Sequence, residues 1–146
     1  MENDKPADAL TSRAFGPGDM AMAAAWWGHR HPSPFPAGGL PPLGVVVEDK
    51  DGPACMLWCY ECYGVGVAFL EFLITRPALS VKQARTVGRE AVTACCAMAG
   101  QMVEPPCAYK IFRAATTAPL FRELSRMGFH ATDDGAPLRG LALILP

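Results

Sequence analysis

No stretch of this chain approaches the ~20 uninterrupted apolar residues that a membrane-spanning helix needs, although 51% of its residues are apolar. That argues against a membrane partner. Charge is sparse, at 18% of residues, and nearly balanced at −1. The lysines and arginines are spread along the chain without a basic run, so nucleic acid is not expected as a partner. The opening Met1-Glu2-Asn3-Asp4-Lys5 lacks the basic segment of a secretory signal, and a cytoplasmic location is expected. Paired metal-ligand spacings are missing too. Of six cysteines, Cys55, Cys59 and Cys62 form C-x3-C-x2-C without a second C-x2-C. Cys95 and Cys96 are adjacent and would sit on different helix faces, and Cys107 follows two prolines. Zinc sites usually show two tight ligand pairs, for which only His29 and His31 remain. The cysteines read as small buried apolar residues, free thiols without metal in a reducing compartment.

What is present suits one domain with one core in 146 residues. Residues 1–10 are polar and read as a frayed tail, leaving a single domain over 11–146. Arg13 to Phe15 suggests a short strand. After the turn Gly16-Pro17-Gly18, Asp19 can cap a helix from Met20 to about His29. Residues 30–43, with Pro32, Pro34, Pro36, Pro41, Pro42, Gly38 and Gly39, must form a long irregular loop, of a kind that often borders a binding site. Val45–Glu48 and Cys55–Tyr63 read as strands joined by an Asp-Gly turn at 49–52. Gly64–Gly66 turns the chain into a third strand, Val67–Ile74, to complete an antiparallel meander.

A capped helix follows. Ser80 and Gln83 form a capping box, S-x-x-Q. Val81, Ala84, Val87, Ala91, Cys95 and Met98 recur at helical spacing, and Gly100 suits the C-terminus. Ala108–Ala114 reads as a strand, Ala118–Met127 as a helix capped by Thr117 and closed by Gly128, and Arg139–Leu145 as a last strand. The predicted class is α+β, with a mixed sheet.

This order resembles the GNAT superfamily of acyl-CoA-dependent N-acyltransferases over residues 11–145. The carriers are Arg13–Asp19 opening the first helix, the meander, the strand Phe69–Thr75 ending in Arg76-Pro77, the long helix, and Leu120–Phe129 ending in Gly-Phe. The segment Leu40-Pro-Pro-Leu-Gly44 looks like a subgroup from phages and prophages. The resemblance implies a GNAT-like fold, acetyl-CoA as cofactor and a small-molecule or protein amine as acceptor, with a homodimer left open. It also implies Q/R-x-x-G-x-G/A before the long helix, whose glycines let the backbone approach the CoA pyrophosphate. Here Ala78–Arg85 contains no glycine. The family's general-acid tyrosine, four residues before the glycine of Gly-Phe, is replaced by Leu124.

Glu71, alone among Phe69, Leu70, Phe72, Leu73 and Ile74, resembles the strand-borne general base of some members. A carboxylate in an apolar cleft has a raised pKa and can deprotonate an amine near neutral pH. The alternative is a solvated strand residue; simple alternation places Glu71 on the face of Phe69 and Leu73. Backbone groups at Leu73, Ile74 and Thr75 can pair with a pantetheine arm. The helix start at Val81, Lys82 and Gln83, with Arg85, is left to hold phosphate, unless it is only a capping box with solvated charges. Trp26, Trp27, Phe35 and Tyr60 can wall an acceptor pocket, or pack structurally; Tyr60 or Tyr63 can replace the missing hydroxyl. His29 and His31 read as surface residues. Two functions follow: an acetyl-CoA-dependent N-acyltransferase, or a non-catalytic GNAT-fold binding or assembly protein, phage-encoded, with a degenerate CoA site. The lost glycines predict CoA binding that is weak, absent or displaced.

Overall fold

The computed structural model describes residues 9–62, 66–101, 111–116, 118–131 and 139–144. Residues 1–8, Tyr63 to Val65, Cys107, Ala108 to Lys110, Thr117 and Leu145, all of which figure in the sequence reading, lie outside them. The elements are β1 (Thr11–Ala14), α1 (Met20–Gly28), β2 (Leu43–Asp49), β3 (Gly52–Glu61), β4 (Val67–Thr75), α2 (Val81–Gln101), β5 (Ile111–Thr116), α3 (Ala118–Arg126), β6 (His130–Ala131) and β7 (Arg139–Ile144). They form one seven-stranded sheet in the order β1-β2-β3-β4-β5-β7-β6. Strands β1 to β4 are an antiparallel meander. The β4–β5 pair is parallel, and β7 runs antiparallel to both β5 and β6. The α+β class and mixed sheet expected from the sequence are therefore present. The two-residue β6 was not anticipated, being too short for a periodic signal.

Strands β2 and β3 are apolar and buried over Leu43–Val47 and Ala54–Cys59, because both faces of the sheet are covered there. Val45, Val47, Leu57 and Cys59 join Val87, Ala91 and Cys95 of α2, Leu124 of α3 and Phe129 just after it in one core. Val46, Met56 and Trp58 join Ala23 and Trp26 of α1 and Ile74 of β4 in a second. Burial pushes the thiols of Cys55 and Cys96 up to about 12, and Cys95 is raised by a hydrogen bond with Cys59 and by burial. These thiols are unreactive packing groups.

Three local expectations change. Asp19 makes no side-chain cap for α1. Both its carboxylate oxygens accept from Arg13, at 2.8 Å each, and one also accepts from the Gly16 N–H. A paired guanidinium outcompetes the weaker capping bond. Val81 belongs to the expected apolar stripe but is 70% exposed, because the stripe meets the sheet only from Val87 onward. Helix α2 also continues through Gly100 to Gln101. Helix α3 ends as expected: Gly128 takes a φ of 94°, the Phe129 N–H donates to the Leu124 carbonyl at 3.1 Å, and Phe129 is buried.

Gly44 faces Trp58 across β2 and β3. A Cβ there would lie 2.6 Å from Trp58 Cδ1 and 3.0 Å from Phe15 Cβ. Gly44→Ala is expected to destabilise by about 1–3 kcal/mol through overpacking, read as a lower denaturant midpoint; an unchanged midpoint would reject this.

The end of β4 is tied to the β2–β3 hairpin by Arg76, which donates to both oxygens of Asp49 at 2.7 and 3.2 Å and to the Pro53 carbonyl. The guanidinium holds the Asp49 carboxyl below its usual range. Because the folded value lies below the unfolded one, this pair stabilises the protein above the ordinary carboxyl range. The contribution is lost as pH falls through that range toward the lower folded value. Arg76→Gln should lower Tm at neutral pH and make the acid-side decline of Tm shallower. Parallel declines in both proteins would mean the pair contributes nothing.

Candidate ligand cavity beside the bulge in β4

Strand β4 changes partners halfway along. From Val67 to Leu70 it pairs with β5 on one side and β3 on the other. The β5 register stops at Leu70↔Ala114, and beyond it β4 pairs with β3 alone. On that far stretch Glu71 faces Trp58 and Ile74 faces Met56, so Phe72 and Leu73 oppose the single residue Leu57. This is a bulge. Phe72 sits at a φ of 58°, a left-handed conformation that is costly for an aromatic residue.

The bulge reverses the alternation read from the sequence. Phe72 packs with the α1-side cluster, while Leu73 packs against the α2-side core. Leu73 is therefore not on the face that simple alternation assigned to it. It lines a cavity of about 310 Å³ between the end of β4, α2 and α3. The cavity lies within the size range of small-molecule sites. Its walls are mostly apolar: Leu73, Leu79, Ala84, Gly88, Val92, Leu120, Leu124 and Met127. A second cavity of about 50 Å³ shares Leu73, Val92, Leu120 and Leu124 with it and reaches Glu71. Leu124, standing where the family's tyrosine is expected, thus lines both. Glu71 is half-buried, and burial raises its carboxyl pKa.

Among these apolar walls one polar atom stands out. Thr75 is 5% exposed, it lines the larger cavity, and its Oγ1 has no hydrogen-bond partner. A buried hydroxyl without a partner costs stability unless something binds to it. Ile74, its neighbour, is buried on the opposite face, in the α1-side core.

The start of α2 carries the expected capping box. The Gln83 N–H donates to Ser80 Oγ at 3.3 Å, and the Ser80 N–H donates to Gln83 Oε1 at 2.9 Å. Lys82 is exposed. Arg85 does not stay at the helix start. Its Nε lies 3.5 Å from Glu123 on α3. Arg89, one turn further on, donates to the other Glu123 oxygen at 3.2 Å, and Arg126 donates at 2.8 Å. Glu123 is 6% exposed and, with Arg85 and Arg89, lines the cavity. Sequence reasoning missed Arg89 and Glu123. The spacing of Arg85 and Arg89, four apart on one helix face, was visible; their shared partner 34 residues beyond Arg89 was not.

The aromatic candidates lie on the other side of the sheet. Trp26 is 8% exposed and belongs to the core. Trp27, Phe35 and Tyr60 meet around Phe72. Trp27 lies 5.9 Å from both Phe35 and Phe72, Tyr60 lies 6.3 Å from Phe72, and Trp27 stacks on His31 at 3.8 Å. The Tyr60 hydroxyl donates to the Gly39 carbonyl, and the Trp27 ring N–H donates to the Ser33 carbonyl at 2.9 Å. These bonds fasten the proline-rich loop over the rings. His29 is exposed. Among the described residues, no group of three or more His, Cys, Asp or Glu side chains could hold a metal ion, and no helix is long and apolar enough to cross a membrane.

No protein-family model matches the sequence, and no curated protein matches it. Solved structures do resemble it. The N-acetylglutamate synthase of Neisseria gonorrhoeae, complexed with coenzyme A and L-arginine, superposes with a TM-score of 0.72 at 13% identity, over 95% of this chain and 34% of that one. This chain therefore spans about a third of that protein's length. A putative N-acetyltransferase from Lactobacillus plantarum also gives 0.72, at 20% identity, over 95% of this chain and 100% of that one. A GCN5-related N-acetyltransferase from Kribbella flavida gives 0.72 at 15% identity, over 94% and 98% of the two chains. The chain has the fold of the GCN5-related N-acetyltransferases.

Thr75→Val removes the orphan hydroxyl and keeps the shape. It is expected to raise the stability of the unliganded protein by about 1 kcal/mol, measured by denaturant unfolding. A loss of stability would mean that Oγ1 is satisfied in solution.

Proposed function

We propose that this protein is a GNAT-fold N-acyltransferase that moves an acetyl group from acetyl-CoA to a small-molecule or protein amine in the cytoplasm. The observation that carries this reading is the open, bulged half of β4, with the cavity between α2 and α3 on one side and Glu71 at the inner end. The stretch Leu73 to Thr75, which has no β5 partner among the described residues, the apolar walls and the orphan Thr75 hydroxyl fit a slim arm containing amides. The helix start fits a pyrophosphate less well, because Ser80 already accepts from the Gln83 N–H.

Acetyl-CoA supplies the acyl group as a reactive thioester. The protein's part is to hold the arm along β4, keep water out with Leu73, Leu120 and Leu124, and deprotonate the amine. A protonated amine has no lone pair with which to attack. Glu71, half-buried and raised by burial, is suited to take that proton. Trp27, Phe35 and Tyr60, gathered around Phe72 on the far face of the sheet, are proposed as the wall of the acceptor side. Trp26 serves the core instead. The Tyr60 hydroxyl is committed to Gly39 and is not proposed as the missing acid.

A second reading is a non-catalytic, phage-encoded binding or assembly protein with a degenerate CoA site. It is favoured by Leu124 in the tyrosine position and by the occupied cap at Ser80 and Gln83. A thermal-shift titration with acetyl-CoA separates the two, since a ligand that binds only the native state raises Tm.

For the enzyme, kcat/KM should fall as pH drops through a pKa above the ordinary carboxyl value, because the base must be ionised. Glu71→Gln should remove that limb and lower turnover ~10²-fold or more, while the acetyl-CoA thermal shift stays the same. Unchanged turnover in the variant would reject Glu71 as the base.

A further inference from the structure

We propose that Arg85 and Arg89 form a phosphate clamp at the mouth of the α2–α3 cavity, replacing the glycine-lined cradle, and that Glu123 is the counter-anion a phosphate displaces. This rests on the proposed use of CoA for the identity of the ligand, but the clamp is argued from the chain's own geometry.

Among the described residues, the charge at the mouth is unbalanced. Three guanidinium groups, from Arg85, Arg89 and Arg126, meet the single carboxylate of Glu123. Arg30 lines the same cavity and adds a fourth cation. Glu123 is tied most closely to Arg126 on its own helix, at 2.8 Å, whereas Arg89 and Arg85 reach it at 3.2 and 3.5 Å through Nε. Their side chains remain 47% and 56% exposed, while that of Glu123 is 8% exposed. Two half-exposed guanidinium groups on longer contacts can turn to a phosphate at little cost, since arginine offers a fork of donors matched to phosphate oxygens.

The interior of the cavity supplies an independent sign of a ligand. Thr75 is part of its wall, and the Thr75 Oγ1 is buried and unpartnered. A mostly apolar cavity with Thr75 in its wall and arginines beside it suits a molecule with a slim, amide-bearing arm and a phosphorylated head. The helix start cannot take that head in the usual way, because Ser80 covers the Gln83 N–H and no residue from Ala78 to Arg85 is glycine. Arg85 and Arg89, on the second and third turns of α2, move the anion site along the helix.

Calorimetry at fixed ionic strength with CoA, pantetheine and inorganic pyrophosphate tests this on the full chain. Arg85→Gln and Arg89→Gln should each weaken CoA about tenfold, and together more, as expected for lost charge-assisted bonds. Pantetheine, which has no phosphate, should bind all of these proteins equally. The salt dependence of CoA binding should be shallower in the double variant. Glu123→Gln should tighten CoA several-fold, by removing the competing charge, and leave pantetheine unaffected. Equal CoA affinity in wild type and the double variant would overturn the proposal, as would a parallel loss of pantetheine. Should neither CoA nor pantetheine bind wild type, the acyltransferase reading fails. Pyrophosphate binding lost in the double variant would then still uphold the clamp, and absence of pyrophosphate binding would overturn it.

Discussion

The left-handed backbone at Phe72 is the constraint around which the candidate site is arranged. An aromatic residue adopts that conformation only where its surroundings hold it. Here they do so from both directions. The Phe72 ring is gripped by Trp27 and Tyr60 on the α1 side, while Leu73 packs on the α2 side. Arg76 anchors the end of the strand to Asp49 and Pro53. With one extra residue in β4, the strand parts from β5 after Leu70 and, among the described residues, pairs with β3 alone. Unpaired strand edges are normally covered or blunted, and this one borders a cavity.

Arginine–carboxylate pairs do separate jobs at different places. Arg13 joins β1 to Asp19 and to Glu48 of β2, fixing the lead-in to α1. Arg76 fixes the end of β4. Asp19 and Asp49 are held below their usual range by their guanidinium partners. The cluster at Glu123 differs because three arginines share one buried carboxylate. The first two pairs are near saturation and read as structural. Among the described residues, the third gathers three guanidinium groups on one carboxylate beside an apolar cavity.

The missing glycines now have a local explanation. A glycine-lined turn keeps helix N–H groups free for an anion. This chain instead closes its helix start with Ser80 and Gln83, which stabilises α2 and removes a donor from use. The positive charge lies further along the helix, at Arg85 and Arg89.

The sequence by itself determined nearly all of the element order. Apolar runs broken by Asp-Gly, the S-x-x-Q box and the Gly-Phe ending each have a local cause, and those segments fold as their patterns indicate. It also brought Glu71 and Leu73 to Thr75 to notice, because an acid in an apolar strand before Arg-Pro is visible as text. Only the tertiary structure decided which way they face. A bulge shifts the side-chain period by one, and its cause lies in rings from α1 and β3 that are distant in sequence. The roles of Arg89 and Glu123 were hidden for the same reason. Each looks like an ordinary solvated charge on its own helix, and the buried contact exists only where α2 and α3 pack together. Asp19 and Val81 were misread because local rules cannot see a competing partner or a sheet edge, and only the packing across the sheet decided between the two readings of Trp26.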